Sequence, residues 1–225
     1  MTLGPSDRTT LKDSAKFVAD FIQHSMNLAI FKRGVCTDKK FLPVDYNGGR
    51  VMALRSRKIK PYFSIAMGNL QRWLVQRKVS KVSLLFHSSE VSKETIERWD
   101  FNIEPLYEND QNCTSNKLLV KIRSEIHEVL REINALDEIL PGIEQSGLFN
   151  VFIHLNGSAE FHDIIALNEY QAGYHDYLEV KNAETMDLKG ISTGVHKVSV
   201  QIYYKANENV GPRRSQTGLF LVTFR

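Results

Sequence analysis

Hydrophobic positions along this chain switch between two periods. From Ser14 to Phe31, the residues Phe17, Val18, Phe21, Ile22, Met26, Leu28 and Phe31 recur at helical spacing up to Gly34. That face is rich enough to predict a central helix rather than a surface one. A second helix is predicted from Pro61, a residue suited to a first helical turn, to Val75, with Phe63, Met67, Leu70, Trp73 and Leu74 as its apolar members. A third, capped by Ser115 and ending near Leu136, carries Leu119, Ile122, Ile126, Val129, Leu130 and Ile133 as one stripe. Lys121, Glu125, Glu128, Arg131 and Glu132 cover the rest of its surface. Elsewhere the period falls to two. Tyr46-Asn47-Gly48-Gly49 between Phe41-Leu42 and Val51–Leu54 reads as a hairpin whose turn needs positive φ. Val82–Phe86 and Phe149–Leu155 are short buried strands, and Trp99, Phe101 and Ile103 alternate with Arg98, Asp100 and Asn102. In the last strand, within Gly194–Lys205, Val198, Val200, Ile202 and Tyr204 alternate with Lys197, Ser199, Gln201 and Tyr203. The expected class is α+β, with three helices packed on a mostly antiparallel sheet.

The last strand stands apart because a long polar segment, Asn156 to Thr193, precedes it. A strand of core quality on such a tether can detach and pair elsewhere. Composition narrows the setting. With 225 residues and 42% hydrophobic content the chain can build a real core, while a net charge of +3 does not call for nucleic acid. Two cysteines, Cys36 and Cys113, are too few for a disulfide framework, and the polar N-terminus carries no apolar run of membrane-spanning length. A soluble intracellular protein is expected.

Candidate chemistry is sparse. Gly190-Ile191-Ser192-Thr193-Gly194 matches the spacing of a nucleophile elbow, but that motif needs a strand before the serine and a helix after it, and here a strand follows. The seven histidines show no metal-ligand spacing, and no phosphate-binding loop occurs, so no cofactor is expected. Arg55, Arg57, Lys58 and Lys60 gather before the second helix, where positive charge gains nothing from the helix dipole; they read as a solvated loop, or as a site for phosphate or an acidic partner.

Several segments, in order, carry a resemblance. Leu11-Lys12-Asp13-Ser14-Ala15, Lys32-Arg33-Gly34, Trp73-Leu74, Val79-Ser80-Lys81-Val82, Glu97-Arg98-Trp99, Ile122-Arg123-Ser124-Glu125-Ile126, Ile139-Leu140-Pro141 and Val195-His196-Lys197-Val198 together resemble the mitotic arrest-deficient family of HORMA-domain spindle-checkpoint proteins. Trp73, Arg98 and Trp99 are its core signature here. The resemblance implies one HORMA domain over residues 1–205, with a core of about 11–155, a "safety belt" of about 156–205, and a divergent tail over 206–225.

It also implies a non-enzymatic switch in which a peptide adds as a strand to an exposed sheet edge, after which the belt closes over it. The receiving edge is Phe149, Val151, Phe152, Ile153 and Leu155. The belt includes Tyr170, Tyr177, Val195, His196, Lys197, Val198 and Val200, and Phe149–Leu155 is also the expected docking edge of the mobile strand. Arg131, Glu132 and Ile139 would form a conformational dimer between open and closed copies, with Glu132 in place of the usual glutamine. A carboxylate there could pair with Arg131. Implied ligands are motifs of the coiled-coil checkpoint receptor and of the activator of the anaphase-promoting complex. Other mitotic checkpoint complex subunits, a checkpoint-silencing HORMA partner and an AAA+ remodeller complete the partners, without nucleic acid or membrane. The implied locations are the nucleus, nuclear envelope, unattached kinetochores and cytoplasm. An adaptor for a translesion DNA polymerase or the meiotic chromosome axis is the alternative.

Overall fold

Thr10 starts the first helix with a reciprocal cap: its hydroxyl accepts the Asp13 N–H at 3.2 Å, and the Asp13 carboxylate accepts the Thr10 N–H. The helix α1, Leu11–Lys32, ends at Gly34, whose φ of +67° suits glycine. Its burial extends around most of its circumference and takes in Ser14, Ser25 and Asn27, so it is the central helix the periodicity predicts. The computed structural model describes residues 8–36, 38–57, 59–88, 94–107, 113–143, 148–156, 161–163 and 178–206.

Strands β1 (Thr9–Thr10), β2 (Phe41–Tyr46) and β3 (Gly49–Leu54) flank α1, and the β2–β3 turn places Asn47 and Gly48 at φ 51° and 87°, as the sequence anticipates. Helix α2, Lys60–Val75, packs against α1. Next come β4 (Val79–His87), β5 (Thr95–Pro105) and β6 (Thr114–Ser115), then α3 (Leu119–Ala135), β7 (Phe149–Leu155), β8 (Phe161–Asp163), β9 (Ala183–Ser192) and β10 (His196–Lys205). The main sheet runs β8-β7-β4-β5-β10-β9 with every pair antiparallel, which is the α+β arrangement expected. One face meets the helices through Val82, Leu84, Phe86, Trp99, Phe101, Val151, Ile153, Val198, Val200 and Ile202.

Three expectations need correction. Ser115 does not cap α3: it lies in β6, its hydroxyl accepts the Lys117 N–H at 3.0 Å, and the helix begins after Leu118 with no side-chain cap. The segment from Asn156 to Thr193 is not wholly a polar arm, since β9 occupies ten of its residues. Finally, β10 docks on β5 and not on Phe149–Leu155. Its register runs from His196 opposite Pro105 to Tyr204 opposite Glu97, which places Val198, Val200 and Ile202 beside Ile103, Phe101 and Trp99. Both β5 and β7 are bound to β4 on their other side, so what distinguishes the β5 seat is the row of apolar partners that it lays beside Val198, Val200 and Ile202.

Candidate functional site: two edges of one sheet

The first edge is β7. Phe149, Val151 and Ile153 point into the helix-facing core, Phe152 is buried on the opposite face, and Leu155 is partly buried. Among the described residues, the outer side of β7 pairs with β8, through Phe152, Ile153 and His154. Backbone groups along the rest of that side have no strand partner among the described residues, and unpaired strand groups are a template for an extended peptide.

The second edge is β5, which receives β10 along its length. The segment Glu97-Arg98-Trp99-Asp100 organises this seat, each residue by its own chemistry. Glu97 points inward and takes a two-pronged ion pair from Arg33, with N···O distances of 3.0 and 2.8 Å, plus the Trp99 indole N–H at 2.7 Å. Arg33 also donates to the Pro141 carbonyl. Burial pushes the Glu97 carboxyl up, against the pull of Arg33 and of the Trp99 hydrogen bond. Trp99 itself is fully buried, and Trp73 is partly buried against the same core.

Arg98 points to the other face. It donates to the Leu178 carbonyl at 2.6 Å, lies 3.3 Å from the Asp100 carboxylate, and stacks its guanidinium 4.1 Å over the Tyr203 ring of β10. It thereby ties together β5, β10 and the chain returning at Leu178. Asp100 accepts from the Ser83 hydroxyl at 2.6 Å and from Lys81 at 3.0 Å. Because Ser83 gives its proton to Asp100, the His154 Nε2, 2.8 Å from Ser83, is the donor in that contact. Burial first, then Lys81, lowers His154 to about 4, opposed by Asp100. This serine, with its hydroxyl directed at a carboxylate and its side chain buried, is a strand-to-strand tie between β4, β5 and β7 rather than a nucleophile.

The β9–β10 turn is locked to α1. Ser14 Oγ lies 2.5 Å from Thr193 Oγ1 and 2.7 Å from His196 Nδ1, and the backbone N–H groups of Val195 and His196 both donate to Thr193 Oγ1. All three side chains are buried, and burial brings His196 down to about 4, opposed by the nearby Leu74 backbone. Gly194, at φ +81°, has the only side chain that fits: a Cβ there would sit 1.9 Å from Ser115 Oγ. The nucleophile-elbow spacing is thus a hairpin turn between two strands. Ser192 Oγ accepts the Gly194 N–H at 3.1 Å and nothing in the backbone presents it as an elbow would.

Helix α3 closes the outer side of β9. Glu125 accepts the Ser192 N–H at 2.8 Å, Glu132 accepts the Lys189 N–H at 2.8 Å, and Glu128 pairs with the Lys189 ammonium at 3.0 Å. Glu132 therefore faces β9 rather than Arg131. Arg131 is exposed on the same helix, and Ile139 is 58% exposed just beyond it. Lys197 points outward on β10, 3.9 Å from Glu104. Tyr170, Tyr177, and the tail from 207 onward lie outside the described residues.

Three helices behind a six-stranded antiparallel sheet, with a two-stranded C-terminal hairpin seated on β5 and three residues of β8 on β7 among the described residues, define the class of this domain. The chain belongs to the HORMA domain family, whose profile matches residues 14–196. It is 28% identical over 200 residues to the mitotic spindle checkpoint component mad2 of Schizosaccharomyces pombe, covering 88% of this chain and 95% of that protein. It is 27% identical over 201 residues to the human mitotic spindle assembly checkpoint protein MAD2A, covering 89% and 94%. A chain in the crystal structure of a mitotic checkpoint complex superposes with a TM-score of 0.70 at 25% identity, covering 86% and 99%. Caenorhabditis elegans HTP-2 bound to a HIM-3 closure motif shares the fold at a TM-score of 0.68 and 13% identity, covering 87% and 92%.

Proposed function

We propose that this chain is a spindle-checkpoint switch that traps a short peptide on β7 and retains it by closure of its C-terminal segment, so that anaphase is delayed while the peptide's owner is sequestered. The observation that carries the reading is the unequal pairing of the two sheet edges: β10 is zipped to β5 over nine residues, while among the described residues β7 is paired on its outer side at three. A peptide adding there gains main-chain hydrogen bonds, with alternate side chains seated on either face of the sheet. Phe149, Val151, Phe152, Ile153 and Leu155 form this edge. The belt comprises residues 156–205 of a domain spanning 1–205, with the tail beyond it. Release then requires the belt to open, so dissociation is slow whatever the area of contact. The relatives named as spindle-checkpoint components favour this role over an adaptor for a polymerase or a meiotic axis.

The peptides are motifs of the coiled-coil checkpoint receptor and of the activator of the anaphase-promoting complex, and other checkpoint complex subunits join the bound form. Arg131 and Ile139, both outward on and after α3, serve the open–closed dimer, whereas Glu132 serves β9 of its own chain. A silencing HORMA partner and an AAA+ remodeller would reverse the closed state. Kinetochores and the nucleus are the working locations. Among the described residues no helix is long and apolar enough to cross a membrane.

The test is ion-exchange separation of the free protein, followed by stopped-flow capture of a peptide from the anaphase-promoting complex activator. Two separable conformers and slow, tight capture are expected. One rapidly exchanging species that captures nothing overturns the reading.

A further inference from the structure

Far from both sheet edges, α1, α2 and the β2–β3 hairpin enclose a cavity of about 180 Å³. Leu42, Val44, Leu54 and Phe63 supply its apolar wall, Gln23 and Ser64 join it as polar neighbours, and Leu42 stands 46% exposed at its side. A cavity of roughly 150 Å³ accommodates a benzene ring, so this one takes a single leucine or phenyl side chain. Asn27, on α1, lines the same space. It is 97% buried, and its side-chain oxygen has no hydrogen-bond partner. A buried acceptor left without a donor is costly, and a ligand N–H placed there would satisfy it.

Charge at the rim is one-sided. Arg55 and Lys60 line the opening, Arg57 lies between them in sequence, and Lys39 and Lys40 are brought alongside because the Arg55 N–H donates to the Lys40 carbonyl at 2.7 Å. All five are exposed, none forms an ion pair among the described residues, and Asp38 is the one acid in these two segments. They also crowd the start of α2, whose first turn holds no acid and whose N-cap makes no side-chain hydrogen bond. Bases at a helix N-terminus oppose its dipole, so the arrangement costs stability unless an anion comes to it.

We propose that this cavity is a second docking site, for a short acidic peptide anchored by one apolar side chain. The anchor fills the Leu42–Phe63 cavity, a peptide N–H reaches Asn27, and flanking aspartates or glutamates meet Arg55, Lys60 and their neighbours. None of these elements belongs to the six-stranded sheet, so the site and the β7 edge can be occupied together.

The probe is a fluorescein-labelled peptide with one central leucine among aspartates and glutamates, titrated into the full chain and followed by anisotropy. Saturable binding that weakens with added salt is expected. An Arg55→Glu, Lys60→Glu variant, both positions being exposed, should bind it at least about tenfold more weakly, and a probe with serine in place of leucine should lose about tenfold with the unaltered protein. The same variant should still capture the activator peptide at β7. The proposal is overturned if the native chain does not bind the probe, if the charge-reversed variant binds it equally, or if the serine probe binds as well as the leucine one. Parallel loss of activator-peptide capture in the variant would overturn the independence of the two sites.

Discussion

The two edges of the main sheet receive opposite treatment. On the β5 side, β10 is paired over nine residues, β9 is zipped to β10, and β9's own outer N–H groups end on Glu125 and Glu132 of α3. On the β7 side, three residues of β8 are the whole described cover. An edge strand is a liability unless it is blunted, and α3 blunts β9 at Lys189 and Ser192, whereas among the described residues β7 is covered at Phe152, Ile153 and His154 alone. The difference lies in who supplies the partner. The hairpin on β5 is covalently attached and needs only to be anchored, by Ser14, Thr193 and His196 at one end and by Arg98 at the other. On the proposed function, the β7 edge is where a chain arriving from outside would find its backbone partners.

The frame under both edges offers the largest lever. Glu97 stands opposite Phe86 of β4 and Tyr204 of β10, and its charge is matched inside the core by Arg33. Replacing Arg33 by methionine strands a buried carboxylate, a change that typically costs about 3–5 kcal/mol. Urea unfolding of Arg33→Met should show that loss at neutral pH. Because Glu97 is pushed upward by burial even with Arg33 present, the deficit should shrink as the solution is acidified and Glu97 takes a proton. Since the pair underlies both edges, the ratio of separable conformers should stay close to that of the unaltered chain. A large change in that ratio would show that the frame favours one edge.

Acid acts next in size. His196 in the hairpin anchor has its folded value depressed to about 4, against an ordinary 6.5. A histidine lowered on folding stays neutral in the native state while the unfolded chain gains a proton. Its contribution is complete above pH 6.5 and is lost as the pH falls toward 4. The full difference corresponds to a loss on the order of 3 kcal/mol. His154 acts in the same direction from the β7 side, with its effect reduced by solvent because it is only partly buried. Hydrogen exchange over pH 6.5 to 4 should therefore show protection falling in β9 and β10, and a His196→Asn variant should be weaker at pH 7 with a flatter response. If the hairpin keeps its pH response in that variant, the acid sensitivity belongs to other groups.

The main elements were legible because their side chains announce a period. The α1 stripe, the Asn47-Gly48 turn, and the alternating Trp99, Phe101 and Ile103 each follow from burial on one face, and all three appear where the pattern puts them. Strand β9 was not legible for a physical reason. Met186 and Leu188 alternate as a strand should, but pairing shifts between Val198 and Val200 of β10, where β9 carries an extra residue before Ile191. Gly190 sits in that bulge, where a Cβ would lie 2.4 Å from the Val198 carbonyl oxygen, and the broken alternation reads as loop. The Ser14–Thr193–His196 anchor was hidden differently: its members are about 180 residues apart and bear no local signal. His196 and Arg98 were marked by resemblance alone, and their partners emerged only when the fold brought them together. Which edge β10 would choose is likewise not a property of its own sequence, since its apolar face is compatible with either.

The smallest predicted effect asks how firmly α3 holds the covered edge. The Glu132 carboxylate accepts the Lys189 N–H and lies 3.9 Å from its ammonium, both at partly solvated positions. Glutamine at this position keeps an acceptor oxygen for the backbone and loses only the screened charge attraction, so Glu132→Gln should cost a few tenths of a kcal/mol. Alanine removes the acceptor as well and should cost about 1 kcal/mol. Exchange of the Lys189 and Ser192 amides distinguishes the steps. The alanine variant should speed Lys189 and leave Ser192, held by Glu125, nearly unchanged. If both amides accelerate together, the carboxylates act as one clamp and β9 detaches as a unit. If neither moves while self-association changes, Glu132 belongs to the dimer surface with Arg131, and the covered edge is held by the β10 ladder alone.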